Sequence, residues 1–160
     1  MSHPSTAAAT AHAEAIRLRF AAAHDSLCAT ADRFMAFILM GVALLVIGFA
    51  LIVKPVSWSG SEPSISAHLI AAVLLSALAA VPGVLLAFRA PGAQPTRFAI
   101  AAGLGLLAAL LIHFGGGRTE FHFGIFVLLA TLAIYRDIRV PITMAGVVAV
   151  DHVLRGLFWP

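Results

Sequence analysis

The sequence predicts an all-α protein: a polytopic membrane helical bundle of about five transmembrane helices, preceded by an N-terminal amphipathic helix. Three observations carry that expectation. The composition is too apolar for a water-soluble core, five apolar runs approach the length of a bilayer crossing, and residues that stop helices separate each run from the next. Of 160 residues, 61% are hydrophobic and 11% charged, against roughly half apolar and one-quarter charged in soluble domains. Mean hydropathy is +1.02. A single cysteine, Cys28, excludes an intrachain disulfide, so stability has to come from helix packing.

Residues 1–32 form the first segment, a cytoplasmic stretch that is amphipathic or disordered. Ile16, Phe20, Ala23 and Leu27 recur there at helical spacing, the pattern of a helix lying on the inner membrane surface or making a dimer contact. Its histidines, His3, His12 and His24, read as solvated. The segment lacks the basic start and short apolar stretch of a cleaved signal peptide. Residues 33–160 form the bundle. Its apolar runs are Phe34 to Val53, Ala67 to Phe88, Phe98 to Phe114, Thr119 to Tyr135 and Val140 to Trp159, near the roughly 20 residues that cross a hydrocarbon core of about 30 Å. Runs of this length in lipid are helices, because every backbone polar group must be paired internally, and no period-two alternation suggests a barrel. A Ser/Pro/Gly loop from Lys54-Pro55 to Ser66, the Pro91-Gly92 and Pro95 stretch, the Gly115-Gly116-Gly117 turn and the Arg136 to Pro141 corner break the chain between them.

The basic residues set an orientation. Arg17, Arg19 and Arg33 precede the first run, Arg89 and Arg97 flank the second connection, and Arg136 and Arg139 flank the fourth. The other side holds Lys54, Arg118 and Arg155. The positive-inside rule then puts the N-terminus, the second connection and the fourth connection on the cytoplasmic side, and an odd number of helices leaves the C-terminus outside. Scattered charges and a net charge of +3 do not make the basic stripe that nucleic acid requires.

This topology sorts four histidines to the outer side: His68 at the start of the second helix, His113 at the end of the third, His122 at the start of the fourth, and His152 roughly 20 Å up the fifth. Glu120 and Asp151 stand beside two of them. Ionisable residues at membrane depth are expensive, face the interior, and pair or bind something. His68, His113, Glu120, His122 and His152 are therefore the candidate ligands of a transition metal, with copper, zinc and iron undistinguished. Asp151 lies about 100° around the helix from His152 and reads as a supporting residue behind the ligands. Arg118 reads as another, as the ion-pair partner of Glu120. Haem is the alternative cofactor, with two histidines as axial ligands and Phe114, Phe121, Phe123 and Phe126 around the ring. A metal-free transporter or scaffold whose histidines handle protons is the other alternative. Gly103, Gly105, Gly41 and Gly48 read as points of close helix approach. No nucleophile and base pair stands out, so the sequence does not indicate an enzyme.

From Ala108 onward the chain resembles a membrane-embedded sensory region found at the N-terminus of many bacterial chemoreceptors, histidine kinases and diguanylate cyclases. The residues that carry the resemblance are Leu111-Ile112-His113 before the glycine turn, Arg118, Glu120, His122 and Phe123 after it, Tyr135-Arg136-Asp137, and the ending Asp151 to Pro160. Ala31-Asp32-Arg33-Phe34 and the Trp58-Ser59-Gly60 loop with His68 resemble it more loosely. Gly124 replaces a second histidine of the family motif and Ile138 a tryptophan, so one family ligand is missing. Family members continue beyond the position of Pro160 into another helix and a signalling domain, which implies a stand-alone relative or an excised sensory module. The resemblance implies signal reception, with the lipid bilayer, a second copy of the chain and a cytoplasmic signalling protein as expected partners.

Overall fold

The structure, a computed structural model, describes residues 6–53, 56–59 and 62–158. Its elements run α1 (Thr6–Val53), β1 (Val56–Ser59), β2 (Glu62–Ile65), α2 (Ala67–Arg89), α3 (Gln94–Phe114), α4 (Thr119–Leu132), a 3-10 turn (Ala133–Tyr135) and α5 (Arg139–Phe158). Four of the five helices, α1, α2, α3 and α5, are long and apolar enough to cross a membrane. At 1.5 Å per residue, the 14 residues of α4 cover only about 21 Å, short of a hydrocarbon core of about 30 Å.

Local chemistry sets the boundaries. The Ser66 hydroxyl accepts the His68 backbone N–H at 3.3 Å and caps α2. Pro95 occupies the first turn of α3, where its missing N–H costs nothing. After α3, Gly116 and Gly117 turn the chain with φ of 70° and 72°, a region that side chains avoid. At the last corner the Asp137 carboxylate accepts the backbone N–H of Arg139 at 3.1 Å and its guanidinium at 3.0 and 2.9 Å. That guanidinium, together with the backbone bond, holds the Asp137 carboxyl below its ordinary pKa.

Around α3 pack α1, α2, α4 and α5. Small residues let them approach. A side chain at Gly103 would collide with the Ala79 backbone carbonyl of α2, and one at Gly105 would sit 3.1 Å from the Met144 carbonyl of α5. Gly41 and Gly48, expected to do the same, have nothing near enough for such a role. Large apolar residues such as Leu74, Leu78, Ile142 and Leu157 cover the outer surface. In water such a surface would drive aggregation, whereas in lipid it is the ordinary exterior.

Two local expectations change. The N-terminal segment is not separate from the first span: α1 runs unbroken through the junction of residues 32 and 33. The reason is compositional, since the run from Thr6 to Met40 is alanine-rich and contains neither glycine nor proline. Residues 9–27 are exposed apart from half-buried His24, so this part of α1 projects from the packed helices. Expected as a loop, the connection to α2 instead contains a short antiparallel ribbon pairing Val56 with Ile65 and Trp58 with Pro63. His3, the Lys54-Pro55 break, Gly60 and the final Trp159-Pro160 lie outside the described residues.

Candidate functional site

Short connections make successive helices antiparallel, so the end of α1, the start of α2, the end of α3, the start of α4 and the end of α5 meet at one end of the structure. His68, His113, His122 and His152 all lie there, in two pairs.

His122 and His152 form the tighter pair. Their Nε2 atoms stand 3.3 Å apart, with ring centroids at 5.5 Å and planes at 74°. The other ring nitrogen of each is engaged by its own helix: His122 Nδ1 lies 3.3 Å from the Arg118 carbonyl and His152 Nδ1 2.9 Å from the Val148 carbonyl. A carbonyl oxygen only accepts, so both Nδ1 atoms carry the hydrogen and each neutral ring keeps its lone pair on Nε2. Two lone pairs facing each other repel unless a proton or cation lies between them. Tetrahedral bonds of 2.0–2.1 Å to one metal ion would place two ligand nitrogens about 3.3–3.4 Å apart. The observed separation matches that spacing, and the Nδ1 bonds to carbonyls are the usual support behind metal-binding imidazoles.

His68 and His113 line a different space. Together with Asp151, Leu154, Arg155 and Phe158 they bound an open cleft of about 710 Å³. A smaller cavity of about 280 Å³ on the α1 side also touches both imidazoles, along with Ala50, Val53 and Phe114. Asp151 accepts the Arg155 Nε–H at 2.8 Å, which ties the carboxylate to the cleft wall. Asp151 lines the cleft, while its Oδ2 also lies 3.8 Å from His152 Nδ1, the ring nitrogen turned away from His122. Glu120 is exposed and has no hydrogen bond or ion pair among the described residues. Arg118 does not pair with it and instead supplies the backbone carbonyl that holds His122. No three His, Cys, Asp or Glu side chains converge as a metal-holding group among the described residues. The five ligands expected from sequence therefore separate into a His122/His152 pair, a His68/His113 cleft and an outlying Glu120.

The haem alternative finds less support. Phe123 and Phe126 are 69% and 68% exposed, while Phe121 packs edge-on against Phe49 at 5.2 Å. Two axial bonds of about 2 Å on opposite faces of an iron require nitrogens about 4 Å apart with a flat macrocycle between them, wider than the His122–His152 spacing.

A second polar cluster, at the opposite end, is absent from the sequence-derived site. Asp32 of α1 is fully buried. Its Oδ1 accepts the Tyr135 hydroxyl at 2.8 Å and its Oδ2 the Gly92 N–H at 2.7 Å. Arg97 of α3, 5% exposed, donates from Nη2 to the Gly92 carbonyl at 3.1 Å. Thr96 donates to the Ala90 carbonyl at 2.7 Å. Nearby, buried Cys28 lies 3.6 Å from His24 Nε2, so His24 is not simply solvated. The usable signal was a lone carboxylate at the head of an apolar run together with the chain's one tyrosine.

No family model, curated protein or solved structure matches the chain.

Proposed function

We propose that this chain is a membrane-embedded sensory module that binds a transition metal through His122 and His152 at the outer side of a bacterial inner membrane. The observation that carries the reading is the 3.3 Å separation of two Nε2 atoms whose rings are each held by an Nδ1 contact with a backbone carbonyl. Zinc, copper and iron all take such nitrogen donors. The metal would supply the positive charge that two facing lone pairs lack. His68 and His113, with Asp151 and Arg155, line a separate cleft at the same end of the bundle. Glu120, exposed on another side of α4, takes no part in this site.

In this reading α4 and the 3-10 turn together, Thr119–Tyr135, complete a fifth crossing that α4 alone is too short to make, and the N-terminus is cytoplasmic. Arginine placement supports that orientation: Arg33, Arg89, Arg97, Arg136 and Arg139 lie at the Asp32 end, against Arg118 and Arg155 at the histidine end. The resemblance to bacterial sensory regions supports reception as the role, with a cytoplasmic signalling protein as output. His122 is on α4 and His152 on α5, so ligation joins two helices through their side chains and biases how α5 sits against α3. That differential contact is what a signal requires.

Metal analysis of detergent-purified chain, prepared without chelator, tests the reading. Wild type is expected to hold metal that the His122→Ala and His152→Ala variants lose. Metal absent from wild type, or retained at wild-type level by both variants, would overturn it. A Soret band in the same samples would transfer support to haem.

A further inference from the structure

The His122–His152 pair is a half-site. Metal ions held by imidazole take three or four protein ligands, and the described residues of one chain supply two. Glu120 precedes His122 by two positions, about 200° around α4, so it cannot face the pair. Asp151 is turned about 100° from His152 and is held by Arg155 at 2.8 Å. His68 and His113 bound the cleft on the Asp151 side.

The pair is also open on its far side. The His152 side chain is 41% exposed, about six residues and so roughly 9 Å before the end of α5. An imidazole edge left against hydrocarbon at that depth is unfavourable, and such groups are covered by protein. The same strip of α5 shows what covers it. Ala145, Ala149, His152 and Gly156 recur at spacings of four, three and four and are all exposed, on a flank centred about 110° around α5 from the buried side of Val140, Met144 and Val148. Small residues at this spacing let another helix approach closely. A Cβ at Gly156 would meet nothing within 4 Å, so that approach is unobstructed.

We propose that two copies of this chain meet across a two-fold axis along this strip of α5, so that two His122–His152 pairs together form one four-imidazole, tetrahedral metal site. The proposal rests on the metal-binding reading above and adds the identity of the missing ligands. A two-fold axis through the metal brings identical strips together, which is the geometry of an isologous dimer. Each chain then contributes two nitrogens already spaced at 3.3 Å for tetrahedral bonding. The metal thereby ties α5 of one copy to α5 of the other, and its occupancy sets the dimer equilibrium.

The test is a Zn²⁺ titration of the full chain, stripped of metal in detergent, with the mass of the protein–detergent particle followed by light scattering. Saturation is expected at about half an equivalent of Zn²⁺ per chain, with conversion of monomer to dimer that a chelator reverses. The Ala149→Leu variant keeps both histidines and the fold but blocks the strip, and is expected to lose both the dimer and tight Zn²⁺ binding. His152→Ala is expected to lose both as well. Saturation at about one equivalent per chain in a monomer would overturn the shared site while leaving metal binding intact. Tight binding undisturbed by Ala149→Leu would do the same. No Zn²⁺ binding at all would overturn both readings.

Discussion

Removing the Tyr135 hydroxyl isolates the bond that joins the first helix to the last corner of the chain. Tyr135 and Asp32 are both fully buried, and the 2.8 Å bond between them spans 103 residues of sequence. In Tyr135→Phe the ring remains and one carboxylate oxygen loses its donor in a place water does not reach. A buried hydrogen bond to a charged group contributes about 1.5–3 kcal/mol, equivalent to a roughly 10- to 150-fold fall in the folded-to-unfolded ratio. Asp32→Ala should cost more, because it also orphans the Gly92 N–H. The assay is reversible unfolding in mixed micelles followed by far-ultraviolet circular dichroism, on wild type, both single variants and the double variant. The double variant should fall short of additivity by about 0.5–3 kcal/mol, the coupling expected of residues in direct contact. A Tyr135→Phe loss below about 0.5 kcal/mol, the range of ordinary surface substitutions, would show that the bond does not hold these elements together.

Three further outcomes follow from the same packing. Gly92 has φ of 87° and a Cβ there would come 3.2 Å from the Asp25 carbonyl. Gly92→Ala should therefore destabilise by at least the roughly 1–2 kcal/mol of left-handed strain, and an unchanged unfolding midpoint would contradict the assigned turn. Gly103→Leu should be worse tolerated than Gly41→Leu, since only Gly103 abuts a neighbouring backbone. Equal yields of folded protein for the two would count against the α2–α3 contact. The Arg139 guanidinium lowers the Asp137 pKa, so its stabilisation is complete above the ordinary carboxylate value of about 3.9 and fades as pH falls below it. The gap in thermal midpoint between wild type and Asp137→Asn should narrow from pH about 6 to pH about 3, and a constant gap would refute the ion-pair contribution.

The helical spans were legible because hydropathy and helix breakers are local signals. Pro91-Gly92, the three glycines at 115–117 and the Arg136–Pro141 corner each end or separate helices as expected. Sorting His68, His113, His122 and His152 to one end was equally legible, since it needs only the alternation of helix direction. Which imidazole meets which was not, because that depends on the azimuth of each helix around α3. The α2 side carries His68 toward His113, while the α4–α5 seam carries His122 toward His152. The continuity of α1 was hidden by an alanine-rich stretch that suits a surface helix and a long straight one equally. The Asp32 cluster was hidden by distance, since its bonds join residues 60 and 103 positions apart.

The two polar clusters handle the burial of polar groups in different ways. At the Asp32 end each carboxylate oxygen has a donor, and the carboxylate is sealed from solvent. Both bonds to the carboxylate are already made, although Arg97 Nε beside it is buried without a hydrogen-bond partner, so the cluster acts as a clamp on α1, the α2–α3 turn and the end of α4. At the histidine end only half of each imidazole is satisfied. The Nδ1 contacts with backbone carbonyls fix the rings, and that fixation holds the two Nε2 atoms 3.3 Å apart, where they share a proton or a cation. Rigid support behind an unsatisfied donor pair is the arrangement that makes ligand binding favourable, because the orientation is set before the ligand arrives. α3 spans both ends, with Arg97 in its first turn and His113 in its last. In the proposed reading, a change in how α5 sits on α3 at the histidine end would reach the clamped end through this one helix.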